Sequence, residues 1–352
     1  MSRIVSFLIR RAIAGVFTVW VMFTFAFVVF WSIPSQPANF VYPGRQHLTD
    51  YQIQQADHIL GIDRPKLTQY YDYVWHVLHW KFGRSWGDYA FNPGLPSGIH
   101  YPDVSSELSR EIGVTLSITL GGALFVLLLS VPLGAIAGSH LRSLSDRTIS
   151  LVALIGVCTH PMVIALILRG IFGEHLHWVP PTGYCPLRQS GYPGCDGVRD
   201  WASHLILPWT TFTLLFLALY IRMIRASVAE TLPEDFVRTA RSKGASELRV
   251  MARHVLPNAS LRVLTMVGME IGTAIAVCAY IETAFGMQGL GLAGIQAMLG
   301  LDLPEILGVV TAITLIVVLG NLIVDGLYAF IDPRVRFTVD NNRTKSLAGG
   351  VI

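Results

Sequence analysis

Residues 231–259 read TLPEDFVRTARSKGASELRVMARHVLPNA and separate two long apolar stretches of the chain. Thr231 with Glu234 three residues later is the pattern of a capping box, in which two side chains satisfy the free N–H groups at a helix start. Gly244 is the residue type that most often follows the end of a helix. This punctuation predicts a helix of about three turns over residues 232–243.

A second short helix is predicted to begin after Ser246 and to end before Pro257, because proline inside a helix removes a backbone hydrogen bond. Phe236, Val237 and Ala240 fall on one face of the first helix. That face fits two interpretations equally well. The helix could rest on lipid headgroups, or it could dock as a knob in the groove of a partner protein.

The composition of the whole chain indicates a membrane protein. Of 352 residues, 52% are hydrophobic and 14% are charged, whereas a soluble domain carries about 25% charged residues. The net charge of +3 is too small to indicate a nucleic-acid partner. Membrane lipid is therefore the first partner that the sequence predicts.

Six stretches are long and apolar enough to cross a bilayer, which takes about 20 residues. Their apolar residues lie all around the helix, which is typical of burial in lipid or in a bundle. The sequence therefore predicts an all-α polytopic membrane protein whose six transmembrane helices cover residues 12–33, 112–139, 148–168, 205–221 with an extension to 227, 263–281 and 306–324.

The distribution of basic residues orients the chain. If both termini are cytoplasmic, the inner segments hold 17 of the 26 Lys and Arg residues, as the positive-inside rule requires. We thus expect four parts, namely 1–33 (cytoplasmic N-terminus and first helix), 34–110 (small extracytoplasmic domain), 111–331 (five-helix core with the cytoplasmic loop 231–259) and 332–352 (cytoplasmic tail).

The predicted extracytoplasmic domain has balanced charges and many aromatic residues. Residues 52–59 and 67–80 could form short amphipathic helices there. Such a domain either covers and supports the helices, which is the simpler interpretation, or takes part in ligand binding.

The loop 231–259 resembles the cytoplasmic coupling loop of ABC-importer permeases, most closely in the dipeptide/oligopeptide/nickel branch, where FVRTARSKG has its counterpart. Against the general consensus of that family the match is partial, since Arg238, Thr239 and His254 replace the usual residues. Further matches follow in family order at LIRR (8–11), LGIDRP (60–65), FGRS (82–85), VPLG (131–134), WVP (178–180), ETAFGMQGLG (282–291) and DPRVR (332–336).

The resemblance implies a type I ABC-importer permease fold and the first permease subunit of a peptide importer in a bacterial inner membrane. It implies as partners a second homologous permease, two cytoplasmic ATPases and an extracytoplasmic substrate-binding protein. By the same resemblance, the residues that couple to an ATPase are Phe236, Val237, Arg238, Thr239, Ala240, Gly244, Leu256 and Pro257.

The chain itself is not expected to be an enzyme or to bind a cofactor. It has no G-x-x-x-x-G-K-[ST] loop for nucleotide phosphates, so ATP and Mg²⁺ are expected on the partner ATPases. Two other functions compete with the peptide importer: a permease for nickel or other small cargo within the same branch, and a channel or transporter that needs no ATP.

Two residues in the predicted spans are candidates for the translocation path. Glu270 is a carboxylate at membrane depth, where it could meet a cationic or amine group of the cargo or could serve packing as a hydrogen-bonded carboxyl. His160 precedes Pro161 in the third span, and it could satisfy the backbone that proline disrupts. A metal site at His160 is disfavoured because a lone histidine lacks the other ligands that a metal needs.

Cys185 and Cys195 share a proline-rich outer loop. An oxidising compartment favours a disulfide between them. Free thiols, or a metal site that includes His175 and His177, are the alternatives.

Overall fold

The computed structural model describes residues 2–32, 49–60, 63–86, 103–144, 146–149, 151, 159–187, 195 and 197–331. No strand occurs in these residues. The helices are α1 Ser2–Ser32, α2 Asp50–Leu60, α3 Lys66–Leu78, α4 Val104–Ser139, α5 Pro161–Leu168, α6 Val198–Thr231, α7 Asp235–Ser242, α8 Glu247–Val250, α9 Leu256–Phe285, α10 Leu290–Gly300 and α11 Leu303–Ile331.

Five of these helices, α1, α4, α6, α9 and α11, are long and apolar enough to cross a membrane. They correspond to five of the six predicted spans. The remaining one, 148–168, lies partly outside the described residues and stays a prediction, as does the predicted tail 332–352. In the described part of this predicted span, α5 begins at Pro161. A π-helical segment, Arg169–His175, follows it directly.

Glycines bring α4 and α6 close together. A Cβ atom on Gly134 would lie 2.7 Å from Cβ of Ile224, and one on Gly138 would lie 2.8 Å from the carbonyl oxygen of Arg225. Lipid tails are as apolar as the side chains, so helices in a membrane associate through close packing and hydrogen bonds. The missing side chains let the two backbones approach along this seam.

The helix α9 packs against both α4 and α6 to complete the largest apolar core. Ile118 of α4, Phe212 of α6 and Cys278 of α9 are buried in it together. The indole Nε1 of Trp209 adds a hydrogen bond of 2.9 Å to the carbonyl oxygen of Ser117. The core is therefore fastened by packing and by a polar contact between α4 and α6.

The first and last spans pack on each other at the side of this core. Gly15 of α1 faces Val318 of α11, where a Cβ atom would approach to 2.7 Å. Arg11 pairs with Asp325 at 3.2 Å, near the C-terminal end of α11. The N-terminal end of α1 therefore lies on the same side of the molecule as the C-terminal end of α11.

The described part of segment 34–110 confirms two short helices, α2 and α3, where the sequence predicts them. After α3 the chain packs into the corner where α4, α10 and α11 meet. Phe82 is buried there with Leu108 and Leu290, and Ser85 donates a hydrogen bond to Asp302. This segment is thus fastened to the ends of the spans. Because α4 already begins at Val104, the helix starts ahead of the predicted boundary at residue 110.

We expect Gly138→Ala to destabilise the protein by about 1–3 kcal/mol, the usual cost of overpacking a core, because the new methyl group meets the Arg225 carbonyl oxygen. The matched control is Gly113→Ala on the same helix, where nothing lies within 4 Å of the new atom. Apparent melting temperatures of the two variants in detergent measure the difference. Equal melting temperatures would contradict the proposed seam.

Candidate functional site

The predicted coupling loop forms an elbow, residues 232–255, between α6 and α9. The helix α6 ends at Thr231, and α7 begins at Asp235 with Glu234 as its N-cap residue. The predicted capping box is therefore wrong. Thr231 instead belongs to the last turn of α6, where its hydroxyl donates to the carbonyl oxygen of Ser227 at 2.7 Å.

The C-terminus of α7 confirms Gly244 as the residue that ends the helix. Gly244 has φ of +80°, a left-handed conformation that costs an L-residue about 1–2 kcal/mol. The N–H of Ala245 donates to the carbonyl oxygen of Ala240 at 3.3 Å, and the N–H of Gly244 donates to the carbonyl oxygen of Arg241 at 2.9 Å. These are the two bonds of a Schellman motif, and they fix the angle at which α8 leaves α7.

An ion pair braces the same corner from outside. The guanidinium of Arg241 on α7 donates to both carboxylate oxygens of Glu247 on α8, at 2.9 and 3.1 Å. Both side chains are partly exposed, and exposed pairs contribute at most about 1 kcal/mol. The bend at Gly244 is therefore set mainly by the backbone.

The candidate coupling residues divide into a buried and an exposed set. Val237 and Ala240 are buried against Ile224 and Val228 of α6. They also contact Val255, which belongs to a π-helical turn, Met251–Val255. The exposed ones on α7 are Phe236, Arg238 and Thr239.

This division bears on the two interpretations of α7. A helix that rests on headgroups needs a free apolar face, and here Val237 and Ala240 are covered by α6 and the turn before α9. Outward, the elbow presents two large apolar side chains, Phe236 and Leu248, among charged and polar ones. Such a surface suits docking in a protein groove.

The second helix of the elbow, α8, begins after Ser246 and ends at Val250, before Pro257 as predicted, but the backbone stays helical beyond it. A π-helical turn, Met251–Val255, follows α8 and leads directly into α9. Pro257 lies at the N-terminus of α9, and a proline's missing N–H costs little in a first helical turn. Leu256 is half-buried and Pro257 is exposed. The elbow and α9 therefore form one continuous helical path.

A buried acid ties the loop after α4 to the elbow end of α6. The guanidinium of Arg225 donates to both carboxylate oxygens of Asp146, with Nη2 at 2.8 Å from Oδ2. The backbone N–H of Arg142 donates to the same carboxylate at 2.9 Å. The hydrogen bond from Arg225 holds the pKa of Asp146 below its ordinary value. The stability gained from this contact is therefore present above the unfolded-state pKa and is lost as the pH falls through the folded one.

The structure does not bring the two translocation-path candidates together. Glu270 is half-buried in α9, close enough to Tyr220 of α6 for an electrostatic interaction. His160 caps α5 by accepting a hydrogen bond from the N–H of Met162 at 3.2 Å, and its ring lies 4.9 Å from that of Tyr280. Tyr280 is ten residues from Glu270, or about 15 Å along α9.

The outer-loop cysteines are joined. Cys185 and Cys195 form a disulfide with a Cα–Cα distance of 5.6 Å. Within the described ranges, no group of three or more His, Cys, Asp or Glu residues is placed to hold a metal ion.

Glu282 belongs to the ETAFGMQGLG motif (282–291), but its role is not evident from that motif alone. Its side chain is fully buried. Oε1 accepts from the hydroxyl of Thr115 on α4 at 2.6 Å, and Oε2 accepts from the N–H of Leu292 at 2.9 Å. The N–H of Leu290 donates in turn to the Thr115 oxygen at 2.9 Å. The carboxylate thus satisfies free N–H groups at the start of α10 and joins α4, α9 and α10.

The sequence holds one signal for this role. An acid that precedes a glycine-rich turn, which then opens a short apolar helix, is placed to cap that helix. Gly289 is part of this turn, and a Cβ atom there would lie 2.4 Å from Cδ of Glu282. Only glycine leaves room for the carboxylate.

Comparison with known families finds two matches. Residues 130–337 match a family described as the inner membrane component of binding-protein-dependent transport systems. Residues 4–119 match the N-terminal part of the membrane component of such systems.

Individual relatives agree with these matches. A putative peptide permease protein of Brucella ovis is 30% identical over 331 residues, which cover 94% of this chain and 98% of the relative. The dipeptide transport system permease protein DppB of Escherichia coli is 31% identical, over 90% of this chain and 93% of its own.

Among solved structures, an inward-facing conformation of the MetNI methionine ABC transporter has a similar fold, with a TM-score of 0.52. The identity is 17%, and the match covers 64% of this chain and 97% of the other. At this identity the likeness concerns the fold alone.

Gly244→Ala should destabilise the elbow by about 1–2 kcal/mol, because alanine resists the left-handed backbone. No atom lies within 4 Å of the new methyl group, so the effect is conformational and not steric. Gly170→Ala is the control, since that site is equally open and its φ is not positive. Limited proteolysis of the loop and the melting temperature report the change. Identical behaviour of the two variants would refute the role of Gly244.

Glu282→Ala should cost roughly 1–3 kcal/mol or more, because it leaves the buried Thr115 hydroxyl and Leu292 N–H without an acceptor. Glu174→Ala is the control, because it removes an exposed carboxylate paired with Arg169 and should cost about 1 kcal/mol at most. Melting temperatures in detergent compare them. A Glu282 variant as stable as the Glu174 variant would mean that the carboxylate does not hold this corner.

Proposed function

The chain belongs to the family of inner membrane components of binding-protein-dependent transport systems, and from that premise we propose that it forms half of the translocation pathway of a peptide importer. It is a multi-pass permease subunit of an ABC importer and not an enzyme. The observation that carries peptide as cargo is the likeness to peptide and dipeptide permeases over nine-tenths of the chain or more.

The proposed partners are a second homologous permease, two cytoplasmic ATPases that bind ATP and Mg²⁺, and an extracytoplasmic substrate-binding protein. They follow from the architecture of a binding-protein-dependent system. This chain supplies no nucleotide-binding loop of its own, so the energy for uphill transport has to reach it through a protein contact.

We place that contact at the elbow. Its exposed set, Phe236, Arg238 and Thr239, stands outside the protein core, while Val237 and Ala240 hold α7 on α6. Exposed apolar residues such as Phe236 and Leu248 with polar residues beside them are a common composition for a protein interface. The exposed set would touch the ATPase, and the buried set would transmit its movement to the spans.

The path of transmission is α9. The elbow continues through the π-helical turn into this helix, whose 30 residues span about 45 Å. The C-terminal end of α9 carries Glu282, which forms hydrogen bonds with α4 and α10. A rotation of the elbow would therefore move the corner at the opposite end of the bundle, since packed helices shift as rigid elements.

Both termini are proposed to be cytoplasmic. The charge distribution supports this orientation. The structure adds that Arg11 of α1 pairs with Asp325 near the C-terminal end of α11. Gly268 of α9 faces Val324 of α11, and Ile271 faces Gly320, so the two helices run antiparallel. The elbow, at the N-terminal end of α9, would therefore share that face.

Arg238→Glu should abolish co-purification of the permease with its ATPase and should stop dipeptide-stimulated ATP hydrolysis and uptake by the reconstituted complex. The charge reversal changes an exposed side chain, so the melting temperature should stay as it is. Arg199→Glu, an exposed arginine at the start of α6, is the matched control and should leave both readouts unchanged.

The same complex tests the cargo. Uptake of a labelled dipeptide, competed by unlabelled peptides and not by Ni²⁺, would support peptide import. Uptake of Ni²⁺ with no effect of peptides would replace the proposed cargo with the metal, and transport without added ATP would contradict the importer itself.

A further inference from the structure

The helix α3, Lys66–Leu78, lies against the spans with one of its faces. The hydroxyl of Tyr70 is 2.8 Å from Oγ1 of Thr24 on α1, and that of Tyr73 is 3.2 Å from Oγ1 of Thr311 on α11. The ring of Phe27 on α1 lies within 6 Å of both tyrosine rings, at 5.4 and 5.7 Å. This half-buried face is the one that contacts protein.

These contacts place α3 below the ends of the membrane-crossing segments. The apolar stretch of α1 runs from Ile9 to Val29, so Thr24 lies five residues, or about 8 Å, inside its end. Thr311 lies eight residues after Leu303, the start of the apolar stretch of α11, or about 12 Å along that helix. The tyrosines therefore meet the spans at membrane depth.

A second face of α3 is apolar and exposed. Four large side chains follow one another at intervals of four, four and three residues, which places them in one stripe along the helix. Between 63% and 74% of each of these residues is exposed. This lipid stripe consists of Leu67, Tyr71, Trp75 and Leu78.

The third face of α3 is polar. Thr68, Asp72 and His76 follow one another at intervals of four residues. Thr68 borders the lipid stripe, seven residues before Trp75, whereas Asp72 and His76 lie away from both other faces. The guanidinium of Arg64 donates to Asp72 at 3.1 Å, so the polar face offers water-facing groups without a strong charge of either sign.

We propose that α3 is an interfacial helix, lying in the boundary between headgroups and acyl chains with its lipid stripe in contact with phospholipid. A helix at a membrane boundary has an apolar side in the acyl region and a polar side in water. Trp and Tyr are the residues most enriched at that level. The first, tyrosine-lined face is the one by which the helix is held to α1 and α11.

Continuity with the surface of α1 selects lipid as the occupant. Phe25 and Val28 of α1, which flank the residues that contact α3, are exposed apolar side chains on a membrane-crossing helix. The lipid stripe of α3 lies on a helix held at the same depth. An apolar surface at this depth faces acyl chains unless another protein covers it.

The experiment uses single cysteines labelled with the fluorophore NBD in the full chain, assembled with its partner subunits in phosphatidylcholine nanodiscs. Cys158 and Cys278 are replaced by alanine in all variants. Tyr71→Cys and Trp75→Cys sample the lipid stripe, and Asp72→Cys and His76→Cys on the same helix are the matched controls. Brominated phosphatidylcholine quenches labels in lipid, and iodide quenches labels in water.

We expect brominated lipid to remove most of the fluorescence at positions 71 and 75 and little at 72 and 76, with iodide showing the reverse. Iodide quenching at all four positions would place α3 in water and overturn the proposal. Protection of 71 and 75 from both quenchers would show that a protein covers the stripe, which overturns it as well. Gel filtration and the melting temperature of each variant verify the fold, and the four positions are compared only among folded variants.

Discussion

Close backbone contact between α4 and α6 is the constraint on which the rest of the bundle depends. In a membrane, apolar surface gains little by leaving lipid for protein, so helices stay together where they fit closely. Gly134 and Gly138 remove the side chains that would keep the two helices apart. The α9 helix then packs into the groove that this pair forms, and its position follows from theirs.

Two sets of polar contacts hold the ends of the bundle formed by α4, α6 and α9. At one end Asp146 holds Arg225 of α6 with two hydrogen bonds. At the other, Glu282 satisfies N–H groups of α10 and the hydroxyl of Thr115. Buried charges are costly unless their hydrogen bonds are complete, so both sites fix one geometry. The elbow and the opposite corner are joined by α9, which gives a mechanical route from the proposed ATPase contact to the far side of the bundle.

The segment between α1 and α4 changes character once the structure is seen. Composition describes it as soluble-like, with balanced charges and many aromatics. In the fold, its aromatics have two uses: Tyr70 and Tyr73 hold α3 to the spans, whereas Tyr71 and Trp75 point away from them. The helical period places the two pairs of aromatic residues on different faces of α3. The period alone does not determine which face contacts protein and which contacts lipid.

Five of the apolar spans, the two short helices before α4, the glycine that ends α7 and the family could all be predicted from the sequence. They depend on local composition, on the residues that begin and end helices, and on linear motifs. Three features emerge only in the folded chain: the missing capping box at Thr231, the helical backbone that continues from α8 into α9, and the burial of Val237 beside an exposed Phe236. Those outcomes depend on packing against α6, which no local pattern records. Glu282 needed the structure for the same reason: its partner Thr115 is 167 residues away in the chain.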